Sequence, residues 1–170
     1  TSIIIHNLYE EKLMNFFLFL FLFQDNNSIE KIDVREMYQE ATSNEKACVV
    51  LYELLKNDST IDLFSSKSAF YGGALSLMAN YSKNPLKKLM YTKQADQVLD
   101  QSVNMDPKNF DARALRILFN SKVPSVFSNK SELKEDLYVF NQLNKSLSKT
   151  SIYNEWIISI INEVQTNPAP

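Results

Sequence analysis

The chain has 170 residues with 18 basic and 20 acidic side chains, a formal net charge of -2. That length suits one domain able to bury a core without staples, and the balanced charge offers no basic field to draw in nucleic acid. One cysteine and one histidine exclude an internal disulfide and a cysteine–histidine metal cluster.

The most apolar run is Phe16-Phe17-Leu18-Phe19-Leu20-Phe21-Leu22-Phe23. A bilayer span takes about 20 apolar residues, and Glu10, Glu11 and Lys12 separate this run from Ile3-Ile4-Ile5. Its length is that of the apolar region of an export signal. Met14 is a candidate start, since the sequence opens on Thr1. The run lacks a cation between Met14 and Phe16, and no small-x-small cleavage site follows at Phe23-Gln24-Asp25. Residues 1–24 are therefore read as a signal peptide or N-terminal apolar segment, which places the protein in the periplasm or outside the cell. An uncleaved anchor touching the membrane through Phe16 to Phe23, or a core helix of a cytoplasmic protein, are the alternatives. His6 lies in this segment, so no serine–histidine or cysteine–histidine catalytic centre can be assembled in the rest of the chain.

Residues 25–32 are polar and read as a linker, and a helical domain is expected over 33–166. Asp33 can cap a helix from Val34 to Ala41 with Val34, Met37 and Tyr38 on its apolar face. Thr42 and Glu45 have capping-box spacing. The helix they would open places Ala47, Val50, Leu51, Leu54 and Leu55 on one stripe, with Cys48 as a core residue. Asn57 to Thr60 is a turn. A helix from Asp62 to Tyr81 follows, with an apolar stripe of Phe70, Gly73, Ala74, Leu77, Met78 and Tyr81. Ala69, Gly72, Gly73, Ser76 and Ala79 form a second ridge of small residues. Gly72 and Gly73 are the two glycines of the chain. Each costs a helix about 1 kcal/mol relative to alanine, and close approach of a neighbouring helix is the expected compensation. So few glycines leave little for hairpin turns or a phosphate-cradling loop.

Asn84-Pro85 opens the next helix, asparagine as cap and proline in the first turn. Tyr91, Ala95, Val98, Leu99, Ser102 and Val103 share one face of it, and Asp106-Pro107 ends it. Asn109 caps a helix from Phe110 to Asn120, and Val123-Pro124-Ser125 breaks the chain. Ser131 opens a helix with Leu133, Leu137, Phe140 and Leu147 inside. Thr150 or Ser151 opens the last one, carrying Tyr153, Trp156, Ile157, Ile160, Ile161 and Val164 as a terminal cap or a dimer face, the cap being favoured. Residues 167–170 are a tail. The fold class is all-α: antiparallel helix pairs in a short solenoid or bundle.

Ala95, Leu99, Ser102 and Pro107 match the small, large, small and proline spacing of the second helix of a tetratricopeptide repeat. The chain resembles that class, although Ser82 to Lys88 makes the preceding unit long. Asn84-Pro85, Asp106-Pro107-Lys108-Asn109, Arg113-Ala114-Leu115-Arg116 and Val123-Pro124-Ser125 also resemble a small helical family of Bacteroidetes-type bacteria over Asp33 to Lys145. That resemblance implies an export signal and no established activity. The family tends to read Asn-Leu-Pro after the two arginines and then a Phe-Leu-Gly-Tyr-like stretch. Here Lys122 stands in place of that asparagine, and Ser128-Asn129 in place of Gly-Tyr.

One polar constellation stands out. Arg113, Arg116 and Asn120 fall at i, i+3 and i+7 on one helix face. Paired guanidinium groups can hold a partner's carboxylate, or they can pair with local acids such as Asp111 or bridge to the next helix. The expected function is a non-catalytic binding or scaffold module for a protein or peptide partner, with no cofactor, no metal and no nucleic acid. A carboxylate-dependent enzyme or accessory, or a membrane-anchored envelope protein, are the alternatives.

Overall fold

The computed structural model describes residues 33–124, 127–147 and 151–166. The apolar run Phe16 to Phe23, the linker, Thr150 and the tail lie outside them. The compact helical unit begins at Asp33. The described residues form seven α-helices: α1 (Val34–Ala41), α2 (Glu45–Lys56), α3 (Ser65–Tyr81), α4 (Pro85–Met105), α5 (Phe110–Lys122), α6 (Lys130–Ser146) and α7 (Ile152–Thr166). A short 3-10 turn, Ile61–Leu63, precedes α3. No strand occurs among the described residues.

Local chemistry sets most helix starts. Asp33 accepts from the Arg35 amide, Asn84 from Leu86 and Lys87, and Asn109 from Ala112. Each satisfies an amide that has no partner inside its helix. Three starts differ from expectation. Asn44 caps α2, accepting from Lys46 and Ala47, while the Thr42 hydroxyl turns back to donate to the Gln39 carbonyl at 2.7 Å. Thr42 therefore satisfies the end of α1 and is not available for a capping box. Asn129, not Ser131, caps α6, accepting from Ser131 and Glu132. α3 starts at Ser65 because Asp58 draws the Thr60 amide and hydroxyl into a turn, at 2.8 and 2.6 Å, and binds Lys67 at 2.7 Å.

α1, α3, α5 and α7 pack in succession as an inner layer. α2 rests on α1 and α3, α4 on α3 and α5, and α6 on α5. α7 also returns to α1, and its aromatic side chains reach both α1 and α3. Trp156 meets Tyr38 edge-on at 6.4 Å, and Tyr153 lies 6.0 Å from Phe70. In an open solenoid each unit touches only its neighbours. In the helical unit, the first and last described helices also touch.

Close packing of α3 against α4 explains Gly72, and against α1 explains Gly73. A Cβ on Gly72 would lie 2.7 Å from Leu99 Cγ, and one on Gly73 would lie 2.8 Å from Tyr38 Cε2. Ala95, Leu99 and Ser102 are fully buried in the α3–α4 contact. Ser65 donates to the Ser102 carbonyl at 2.8 Å across the two helices.

α2 buries a different face from the one its periodicity proposed. Cys48, Leu51, Tyr52 and Leu55 are inside, whereas Val50 is 59% and Leu54 43% exposed. Both stripes have helical spacing. Tyr52 decides between them, because its ring stacks on Tyr71 of α3 and meets Tyr91 of α4 edge-on. Leu147 caps the end of α6 and is only partly buried.

Candidate functional site

Arg113, Arg116 and Asn120 lie together on α5, and all three are buried, at 3%, 6% and 3% exposure. Their partner is inside the chain. Arg116 grips Asp136 of α6 with two parallel hydrogen bonds, Nε to Oδ2 at 2.7 Å and Nη2 to Oδ1 at 2.8 Å. Arg113 Nη1 also donates to Asp136 Oδ1 and to Glu135 Oε1. Arg113 Nε donates to the Pro107 carbonyl at 2.9 Å, and Arg116 Nη1 to Asp100 at 3.0 Å. Burial disfavours the charge on Arg116, but the hydrogen bonds and field of Asp136, then Asp100, outweigh it and hold its pKa above the ordinary guanidinium value. The arginine face thus bridges α5 to α6 and α4.

Asp111, the other proposed partner, serves α1 instead. It is 1% exposed and accepts from Arg35 at 2.8 Å and Ser66 at 3.1 Å. Asn120 is structural in a similar way. Its Oδ1 accepts from the Asn129 amide at 3.0 Å and its carbonyl from Ser128 at 2.8 Å, while its buried Nδ2 has no partner among the described residues. It fixes the approach of the chain to α6.

Asp136 itself carried a sequence signal. With Leu133, Leu137 and Phe140 it has the i, i+3, i+4, i+7 spacing of a buried face, and an acid on such a stripe needs a charged partner.

Of the recesses among the described residues, two bear on chemistry. The first is shallow and acidic, lined by Asp96 and Asp100 of α4, Glu132 of α6 and the chain from Phe127 to Ser131. Burial and the neighbouring Asp100 push the carboxyls of Asp96 and Glu132 up, opposed by Arg116. Raised carboxyls suit proton transfer, but this recess lies open to water and Asp100 is engaged by Arg116.

The second is a cleft in the inner layer with two adjoining parts. The closed part, about 260 Å³, is walled by Tyr38 of α1, Leu77 of α3, Leu115 and Phe119 of α5, and Trp156 and Ile160 of α7. Gly73 and Ser76 of α3 line it as well. The outer part, about 380 Å³, continues past Ser76 and Leu77 to Asn80, Lys88 and Thr92. Thr42, Phe119 and Lys122 border both. No acid among the described residues lines either part. Neither Lys88 nor Lys122 forms an ion pair among the described residues. Sequence reading placed Tyr38, Leu77, Trp156 and Ile160 on buried faces. It missed that those faces leave space between them.

Among the described residues, no group of three or more histidine, cysteine, aspartate or glutamate side chains could hold a metal ion. Burial, with Glu45 nearby, pushes the Cys48 thiol up to about 11, far from the range of a reactive thiolate. No helix among the described residues is long and apolar enough to cross a membrane.

Fold and site together define an all-α bundle or short solenoid with a charge-locked α5–α6 contact and a cleft of mixed polarity bordered by lysines. No family model, curated protein or solved structure matches the chain.

Proposed function

We propose that this protein is a non-catalytic binding module whose inner-layer cleft receives an apolar part of its ligand. The observation that carries the reading is the cleft, a recess with aromatic and aliphatic walls and a few polar groups among them, the usual form of a ligand site. The strongest polar constellation, Arg113 and Arg116, is spent on internal pairing, and the raised carboxyls of Asp96 and Glu132 sit where water is not excluded. A protein or peptide partner would present an apolar side chain to the cleft. Export to the periplasm or beyond belongs to the same proposal and rests on Phe16 to Phe23. Intact mass and N-terminal sequence of the native protein test it: a form beginning near Asp25 supports export, and a cytoplasmic form that retains the run overturns it.

The cleft is tested with the neutral apolar dye Nile red added to the full chain. Trp156 is the sole tryptophan and lines the closed part, so a seated dye accepts its excitation. Saturable, one-to-one energy transfer is expected, reduced in a folded Ser76→Phe variant. Linear, unsaturable uptake, or transfer indifferent to Ser76→Phe, overturns the reading.

A further inference from the structure

We propose that the start of α4 is a contact for an anionic phospholipid surface. Leu86, Leu89 and Met90 sit at the headgroup boundary, and Lys83, Lys87 and Lys93 meet the phosphates. The proposal goes beyond the cleft and does not use it.

Four observations carry it. First, the tip of α4 is unpacked. Every residue from Lys83 to Met90 is exposed, and α4 buries none before Thr92. Leu86 is 77% exposed, Met90 45% and Leu89 38%. At i, i+3 and i+4 they neighbour one another on the helix surface. Second, the charge around them has one sign. No aspartate or glutamate occurs over residues 63–95, which hold Lys67, Lys83, Lys87, Lys88 and Lys93. The net charge of the chain is -2, so attraction to an anionic surface belongs to this segment and not to the molecule as a whole.

Third, the lysines stand where a helix disfavours them. The N-terminal end of the helix dipole favours acids. α1, α2, α5, α6 and α7 carry Glu36, Glu45, Asp111, Glu132 and Glu155 in their first turns. α3 carries Lys67 there and pairs it with Asp58. α4 has no acid in its first turn and places Lys87 and Lys88 in it. The helix gains nothing from that arrangement, whereas binding to an anionic surface does. Fourth, the tip has no unpaired amide. Pro85 has no N–H, the Asn84 side chain accepts from the Leu86 and Lys87 amides at 2.9 and 3.2 Å, and its carbonyl accepts from the Lys88 amide at 2.9 Å. A backbone closed in this way can enter an apolar boundary without stranding a donor. It also offers no free amide to an anion, so the lysines do that work. An exposed helix end with apolar side chains among lysines fits a flat anionic bilayer. An acidic protein would have to bring a matching groove.

The test places an environment-sensitive dye on Leu86→Cys in the full chain. Cys48 is buried and takes no label in the folded protein. Vesicles of phosphatidylglycerol and phosphatidylcholine in equal parts should shift the dye emission to the blue saturably. Phosphatidylcholine alone should not, even where Phe16 to Phe23 holds the chain to it. Lys83→Gln with Lys87→Gln should raise the lipid concentration at half-response roughly twentyfold, about fivefold for each lysine. Leu89→Gln with Met90→Gln should raise it roughly tenfold. All four side chains are exposed, so both variants keep the fold, which far-UV circular dichroism verifies. A dye on Tyr138→Cys, an exposed position of α6, should not respond.

An equal response on phosphatidylcholine, or indifference to the lysine pair, overturns the anionic surface. An equal response from the Tyr138 position overturns the α4 tip as the contact. The same blue shift with soluble polyglutamate overturns the membrane in favour of an acidic protein. No response to any vesicle overturns the proposal outright. It leaves the cleft reading standing, because none of the changed residues lines the cleft.

Discussion

Asp136 is the residue on which the α5–α6 contact depends. It is fully buried, and it pairs with two guanidinium groups that are nearly so, with the more exposed Glu135 and Asp100 completing the charge balance. Removing one member of such a group leaves charge in a medium that solvates it poorly. Asp136→Asn should therefore cost about 3–5 kcal/mol in urea unfolding. Replacing Arg113, Arg116 and Asp136 together by methionine, methionine and leucine should recover most of that loss, because no buried charge is then left behind. A triple variant less stable than the single one would mean that the hydrogen bonds, rather than the charge balance, hold the helices together.

Cys48 gives a pH prediction at the same scale. Its thiol is ordinarily near 9.0 and burial lifts it to about 11 in the fold. Stability is whole below the ordinary value, because the thiol is then protonated in both states. It falls as the pH rises from 9.0 toward 11, since only the unfolded chain readily gives up the proton. Burial also raises Tyr38 and Tyr153 above the ordinary 10.0, which steepens the loss beyond that point. The urea midpoint should drop between pH 9 and 10 in the native chain and stay level over that interval in Cys48→Ala. The native thiol should resist alkylation at pH 8 until the protein is unfolded.

At the scale of elements, helix propensity and packing oppose each other at Gly72. Alanine there would favour an isolated helix by about 1 kcal/mol. Its Cβ would also meet Leu99 Cγ at 2.7 Å, and overpacking of this kind costs about 1–3 kcal/mol. Gly72→Ala should therefore destabilise, and Leu99→Val in the same chain should relieve part of the clash. Thermal unfolding of the two single variants and the double one measures the coupling; strictly additive losses would mean that Leu99 does not limit the approach.

What the sequence could show follows the same division. The starts at Asp33, Asn84 and Asn109 were legible because capping chemistry is local. The small-residue ridge of α3 was legible because its spacing is periodic. The buried face of α2 was not, since two stripes compete and Tyr71 and Tyr91 from other helices choose between them. Likewise the Arg113–Arg116 pair was visible from spacing, whereas its partner Asp136 lies on α6. The cleft was hidden for a stronger reason: its walls come from five helices, and unfilled space leaves no pattern in any one of them.

For the whole molecule, the contact of α7 with α1 is decisive. α7 buries Tyr153, Ile157 and Ile161 against the core, and its Trp156 closes the cleft. Arg35 of α1, bound to buried Asp111 of α5 and lying 5.8 Å from the Tyr153 ring centre, ties the same helices from the polar side. A helix docked on both the first and the fifth elements cannot leave without exposing core on each. It should therefore unfold with the rest. Trp156 emission reports α7, and far-UV circular dichroism reports all helices, so their urea transitions should coincide. Ile157→Ala should move both midpoints together, at a cost of about 2–5 kcal/mol. An emission change that precedes the loss of helix would instead make α7 a separable flap, and the cleft would then open without unfolding the bundle.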